Sequence, residues 1–150
     1  MPAWPRLRLL GLMLAGLSSV ACSGAPTAPS PVPAVNGAWT GTIVVGDRST
    51  SVRLTLLESS TLAGGLASID GPFSLTGALG DVSGNANGGR LADVVTLTLV
   101  PSVFRVCSGF DGVELGVVLL LRLAESALHG TALIQTCGSS QQGTVDLRRQ

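Results

Sequence analysis

From Trp39 onward, apolar side chains recur at every second residue rather than every third or fourth. Ser51-Val52-Arg53-Leu54-Thr55-Leu56 alternates without a break, as do Val95-Thr96-Leu97-Thr98-Leu99 and Gly143-Thr144-Val145-Asp146-Leu147-Arg148. Successive side chains of an extended chain point to opposite faces, so this pattern gathers the apolar groups on one face of a strand. It is the signature of half-buried antiparallel sheet. Trp39-Thr40-Gly41-Thr42-Ile43-Val44-Val45 is a fourth such segment. The stretch 115–123 departs from the pattern, because Val118 and Leu120 fill the positions between Val117, Leu119 and Leu121. Its length also suits a short helix. Its β-branched content and its neighbours favour a central strand covered on both sides.

Turn residues punctuate these runs at Gly46-Asp47, Asp70-Gly71-Pro72, Asn87-Gly88-Gly89, Asp111-Gly112 and Gly138-Ser139-Ser140. The expected strands are 38–45, 51–59, 61–69, 72–79, 81–86, 91–100, 115–124 and 126–135. A ninth segment, 143–149, closes the chain, so one of the short middle ones is expected to be a bend. A weak repeat runs through them. An apolar residue precedes Gly by two in Trp39-Thr40-Gly41, Leu62-Ala63-Gly64, Leu75-Thr76-Gly77, Val82-Ser83-Gly84 and Leu128-His129-Gly130. Positions i and i+2 share a face, so these glycines fall among the core residues. Glycine there weakens a strand unless it permits sharp coiling or close packing, and repeated around a sheet it helps to close a barrel. A chain with 20 glycines also produces such triplets by chance. The expected fold is all-β, an antiparallel up-and-down barrel of about eight strands. The alternative is an immunoglobulin-like β-sandwich, which would show two sheets and two open edges.

The first 36 residues follow another logic. Residues 1–8 carry Arg6 and Arg8 and no acid. Residues 9–17 are apolar apart from Gly11 and Gly16, and small residues lead to Cys22. This fits an export signal and is too short for a comfortable transmembrane span. Residues 23–36 hold Pro26, Pro29, Pro31 and Pro33 and no charge. Such a segment favours extended polyproline-II conformation, and its fourteen residues span about 40 Å at roughly 3.1 Å each. The domain plan is a signal peptide at 1–21, a Pro-rich tether at 22–36 and a β-barrel domain at 37–150. The last is long enough to bury a real core.

Ser19-Val20-Ala21-Cys22 resembles the lipobox of bacterial lipoproteins, with Ser19 where a Leu is usual. The resemblance implies a diacylglycerol on Cys22 and anchorage in the cell envelope. Ser23 after the cysteine implies the outer membrane by similarity to enterobacterial sorting. Ser19 and Ala21 equally satisfy ordinary signal peptidase, which would leave a soluble secreted protein. The cysteine count bears on this choice. There are three, at 22, 107 and 137, and lipidation of Cys22 leaves an even pair in an oxidising compartment. Cys107 and Cys137 are read as a disulfide, since no CxxC motif and only one histidine offer a metal or redox alternative.

Asn36-Gly37-Ala38-Trp39-Thr40-Gly41 resembles the Gly-x-Trp that opens the first strand of lipocalin-like and avidin-like barrels. Asp146-Leu147-Arg148-Arg149 is similar to their final strand. The resemblance implies that Trp39 plugs one barrel end and that Arg148, or its neighbour Arg149, packs over it. The aromatic residues of a biotin site are missing, so no borrowed ligand follows.

Little in the sequence points to chemistry. His129 stands opposite the apolar face in Leu128-His129-Gly130, which predicts an exposed side chain. There is no Gly-x-Ser-x-Gly elbow and no second histidine for a triad. Asp47, Asp70, Asp81, Asp93 and Asp111 mostly stand beside Gly or at strand ends, where Asp is a turn residue. No Asp-x-Asp spacing suggests a metal, and Gly64-Gly65 and Gly88-Gly89 open no helix that would cradle phosphate. Beyond residue 21 seven arginines face nine acids, with no basic patch for nucleic acid. The expectation is a lipid-anchored envelope protein, a structural or interaction module with no catalytic residue, cofactor or metal. Its expected partners are the membrane, through the N-terminal lipid, and an apolar small molecule or an envelope protein. The alternative is a lipocalin-like carrier of a small apolar ligand, which would need a hollow, aliphatic interior.

Overall fold

Eight strands satisfy the alternating pattern by closing on one another. The computed structural model describes residues 34–59, 65–103, 107 and 115–150. Every described residue belongs to one compact unit, Pro31–Gln150. The signal segment, Cys22, tether residues 22–33 and the Asp111-Gly112 turn lie outside the described residues. The strands are β1 (Gly37–Val45), β2 (Arg48–Glu58), β3 (Leu66–Gly77), β4 (Val82–Leu91), β5 (Val94–Pro101), β6 (Leu115–Ala124), β7 (Ala127–Thr136) and β8 (Ser139–Arg149). Each pairs antiparallel with the next, and β1 pairs with β8 from Trp39↔Arg149 to Val44↔Thr144. The sheet is therefore a closed up-and-down barrel. The sandwich alternative falls, because its two open edges are absent from this closed ladder.

Several expected boundaries move. Asp70-Gly71-Pro72 is no turn, and the expected strands 61–69 and 72–79 are one strand, β3, over the described part. Its register with β4 runs through Gly71↔Ala86 and Pro72↔Asn85 without a shift. Asn87-Gly88-Gly89 is likewise inside β4, which outlasts the expected 81–86. The expected strand 91–100 is instead split by a two-residue turn at Ala92-Asp93. There Ala92 adopts a left-handed φ of 54°, and Glu125 does the same at 52° in the β6–β7 turn. Neither carries the Gly or Asn that normally marks such a conformation. β8 begins at Ser139, four residues before the expected 143. Strand β6 is not covered on both sides. Val117, Leu119, Leu121 and Leu123 point inward, while Leu120 remains 44% exposed.

The inward face is almost wholly aliphatic. Ile43, Val52, Leu54, Leu56, Ile69 and Leu75 meet Val95, Leu97, Leu119, Leu121, Leu128 and Leu147, all nearly inaccessible to water. Glycines let this ring draw tight. A Cβ on Gly41 would lie 1.8 Å from the Asp146 carbonyl oxygen, one on Gly88 1.8 Å from that of Thr96, and one on Gly130 2.0 Å from that of Leu120. Each of these glycines faces an inward leucine on the next strand: Leu147, Leu97 and Leu121 respectively. The neighbouring backbone occupies the space a side chain would take, which lets the sheet coil sharply enough to close.

Up-and-down connection fixes the two ends. The first and last residues of the sheet, Gly37 and Arg149, lie at one end with the β2–β3, β4–β5 and β6–β7 connections. The opposite end holds the β5–β6 connection and the β7–β8 turn. Cys107 and Cys137 are bonded there across a separation of 30 residues, tying that connection to that turn.

Gly130→Ala is expected to destabilise the barrel by about 1–3 kcal/mol, because the new methyl must displace backbone. Thr98→Ala, on the outer face, should stay within about 0.5 kcal/mol. Urea unfolding compares them, and equal midpoints would mean that the close approach is not needed for closure. Replacing Cys107 and Cys137 together with Ser should cost about 3–4 kcal/mol in the same assay.

Candidate functional site

The polar chemistry turned toward the barrel axis is concentrated at the end where the chain enters β1. Trp39 is fully buried there, and its Nε1 donates to the Val35 carbonyl at 2.8 Å. That bond folds residues 34–36 back across the barrel end, and Val35 is itself fully buried. The Val35 N–H donates to Glu58 Oε2 at 2.8 Å, and the Glu58 N–H donates to the Asn36 side-chain oxygen. Arg90 Nε donates to Glu58 Oε1 at 2.9 Å, its Nη2 reaches the same oxygen, and its Nη1 donates to the Ala92 carbonyl at 2.6 Å. The Glu58 and Arg90 side chains are only 5% and 11% exposed.

Strand geometry explains why these charges meet. Glu58 continues the inward series Val52, Leu54, Leu56 at the last residue of β2. Arg90 continues Ala86 and Gly88 near the end of β4. Burial pushes the Glu58 carboxyl upward. The Arg90 hydrogen bond, the Val35 N–H and the Arg90 charge outweigh it and hold the group below its ordinary value of 4.5. Neither residue stands out as a site in the sequence. The signal is there, as a charge in the inward phase of an otherwise apolar alternation.

Trp39 is buried at this barrel end, and of the two neighbouring arginines it is Arg149 that stacks on its ring. The Arg149 guanidinium lies 4.8 Å from the Trp39 ring centroid, and its Nη2 donates to the Ala34 carbonyl. Alternation decides the matter. Leu147 points inward, so Arg148 points out and Arg149 returns to the barrel end. The group thus forms a strap and latch: residues 34–36 are the strap, and Glu58, Arg90, Trp39 and Arg149 hold it. The carboxylate is fully engaged by donors and meets no open space, so the arrangement suits fastening rather than proton transfer.

His129 faces solvent, with Nδ1 3.3 Å from Asp146 Oδ2 and both side chains about half exposed. It pairs across the ladder with Arg122, which bonds Asp93 at 2.9 Å. Such exposed pairs contribute little. Among the described residues, no three His, Cys, Asp or Glu side chains come together as a metal site. An open depression on the outer face of β2 and β3 is lined by Ser51, Arg53, Ser74 and Thr76. Cys107 and Cys137 stand at the opposite end from the strap, and Cys22 lies outside the described residues.

Among the described residues the largest inward side chains, from Trp39 and Ile43 to Leu119 and Leu147, are almost wholly inaccessible to water. The outer face carries Arg53, Asp70, Arg122, Asp146 and Arg148, the reverse of a membrane-spanning barrel, which turns its apolar band outward.

Since Glu58 titrates lower in the folded chain than in the unfolded one, its stabilisation is complete above about 4.5 and is lost as pH falls through the folded value. Glu58→Gln should therefore cost about 1–3 kcal/mol near neutral pH by leaving Arg90 incompletely paired. The gap to the parent should shrink steadily below pH 4.5. Denaturant unfolding across that range checks it, and a pH-independent gap would assign the loss to packing alone.

Comparison with protein-family models, with curated proteins and with solved structures finds no match to this chain.

Proposed function

We propose that this chain is a lipid-anchored protein of the bacterial cell envelope, held in the outer membrane, whose barrel acts as a structural or interaction module. The packed interior is what supports this role for the barrel. An eight-stranded barrel either holds one small ligand or is filled by its own side chains. Here the inward leucines, valines and isoleucines among the described residues are almost wholly withdrawn from water, which supports the filled alternative. That weighs against the lipocalin-like carrier, although the Gly37-x-Trp39 opening and the Arg149–Trp39 stack resemble that family. The catalytic alternatives have no support in the polar groups. The buried carboxylate is consumed by the strap, and the one histidine stands in solvent beside an exposed aspartate.

Location rests on the N-terminal sequence. Arg6 and Arg8, the apolar run and Ser19-Val20-Ala21-Cys22 support export and lipidation, and the Cys107–Cys137 bond accounts for the other two cysteines. The membrane is then the first partner, through the diacylglycerol on Cys22. An envelope protein is the second, met by the outer face of the barrel.

Intact-mass analysis of protein extracted from native membranes tests both halves. The expected species starts at Cys22, carries a diacylglycerol-sized addition and retains the disulfide, and no apolar small molecule accompanies it. Cys22→Ala should move the protein to the soluble fraction. An unmodified Cys22 at the mature terminus would remove the anchor and leave a secreted soluble barrel. A stoichiometric apolar molecule in the extract would restore the carrier.

A further inference from the structure

The strap fixes more than Trp39. It pins the point at which the Pro-rich segment joins the barrel, so the tether leaves from the same end that holds Glu58, Arg90 and Arg149. Along β2 to β5 the outer rim of that end is apolar, while Arg122, Glu125 and Arg148 occupy the β6 to β8 side. Leu57 is the second-last residue of β2, Leu66 the first of β3, Leu91 the last of β4 and Val94 the first of β5. They are 61%, 49%, 55% and 41% exposed. Leu66 pairs with Leu91 and Leu91 with Val94, so three of the four form one continuous row across neighbouring strands. Elsewhere the outer face of these strands is hydroxyl- and amide-rich, with Ser51, Thr55, Ser74, Thr76, Asn85, Asn87, Thr96 and Thr98. The charges beside the row, Asp93 and Arg122, neutralise one another.

We propose that this row is the membrane-facing edge of the barrel, and that Leu66, Leu91 and Val94 rest in the headgroup layer of the bilayer that anchors the chain. Such docking presupposes the lipid anchor at Cys22. Residues 23–33, eleven in all, separate that cysteine from the strap, and in polyproline-II conformation the path from Cys22 to Ala34 spans about 37 Å. Tethering on that scale makes docking an intramolecular event at an effective concentration in the millimolar range, so a row too small to bind from solution suffices. The disulfide end then faces away from the membrane. The occupant is lipid rather than a protein because the row and the tether share one end of the barrel. Any protein docking there would compete with a bilayer that the tether holds within reach.

The full chain, processed in cells and purified with its lipid, is reconstituted into vesicles of phosphatidylethanolamine and phosphatidylglycerol brominated in the acyl chains. Flotation with the vesicles reads the anchor. Tryptophan quenching reads the docking, using Leu91→Trp against Thr98→Trp, which lies farther along the outer face of β4 and β5. Trp39 is buried and is the only tryptophan after Trp4, so it gives the same background in both. Quenching about two-fold or more stronger at position 91 is expected if the rim lies in the interface. Val94→Trp should match Leu91→Trp, which guards against a local artefact. Flotation with equal quenching at 91 and 98 would overturn the docking and leave the anchor standing. Loss of flotation by the parent protein would overturn the anchor and the docking together.

Discussion

Closure of the sheet between β1 and β8 is the constraint on which everything else depends. An open sheet of eight strands would leave two unpaired edges, and one turned the other way would expose its leucines. Pairing Trp39 with Arg149 through Val44 with Thr144 removes the edges and converts one apolar face into an interior. The cost is curvature. A narrow barrel with leucine, isoleucine and valine on most inward positions closes more readily where some strands approach without an intervening side chain. Gly41, Gly88 and Gly130 stand at such places, each against a carbonyl oxygen of the neighbouring strand.

A barrel still has two ends, and they are closed by different means. At one, the Cys107–Cys137 bond ties the β5–β6 connection to the last turn. At the other, the chain closes the barrel with its own approach segment. Val35 covers the indole of Trp39, and Glu58 accepts from both the Val35 backbone and Arg90. A buried charge is tolerated only when it is paired and its remaining lone pairs are met. Here both carboxylate oxygens find donors, and no buried side-chain nitrogen or oxygen among the described residues lacks a partner.

Inside the barrel the described inward side chains pack against one another, and the polar groups at the strap end hold the approach segment. Over β2 to β5 the outer wall divides into a hydroxyl-rich face and an apolar row at that same end. The chain enters β1 there, beside Glu58, Arg90 and Arg149.

Much of the barrel is legible in the residues alone. Alternation along 51–56, 95–99 and 143–148 marks the strands and their inward faces, and Cys107 and Cys137 are the natural pair. The inward glycines are visible as triplets beginning at Trp39 and Leu128. Local composition misleads where tertiary pairing overrides it. Asp70-Gly71-Pro72 and Asn87-Gly88-Gly89 have turn chemistry, yet the ladder between β3 and β4 runs through both and keeps them inside strands. Ala92 and Glu125 have none, yet the short connections between paired strands force them left-handed. The choice of Arg149 over Arg148 needs the phase of β8, and the meeting of Glu58 with Arg90 needs the adjacency of two strand ends 32 residues apart. Period and side-chain chemistry are enough to specify which residues are extended and which side of each strand is apolar, because both are local properties of the chain. How the inward side chains pack and that residues 34–36 cross the barrel end follow only from the folded arrangement, because packing and end closure depend on which strands become neighbours.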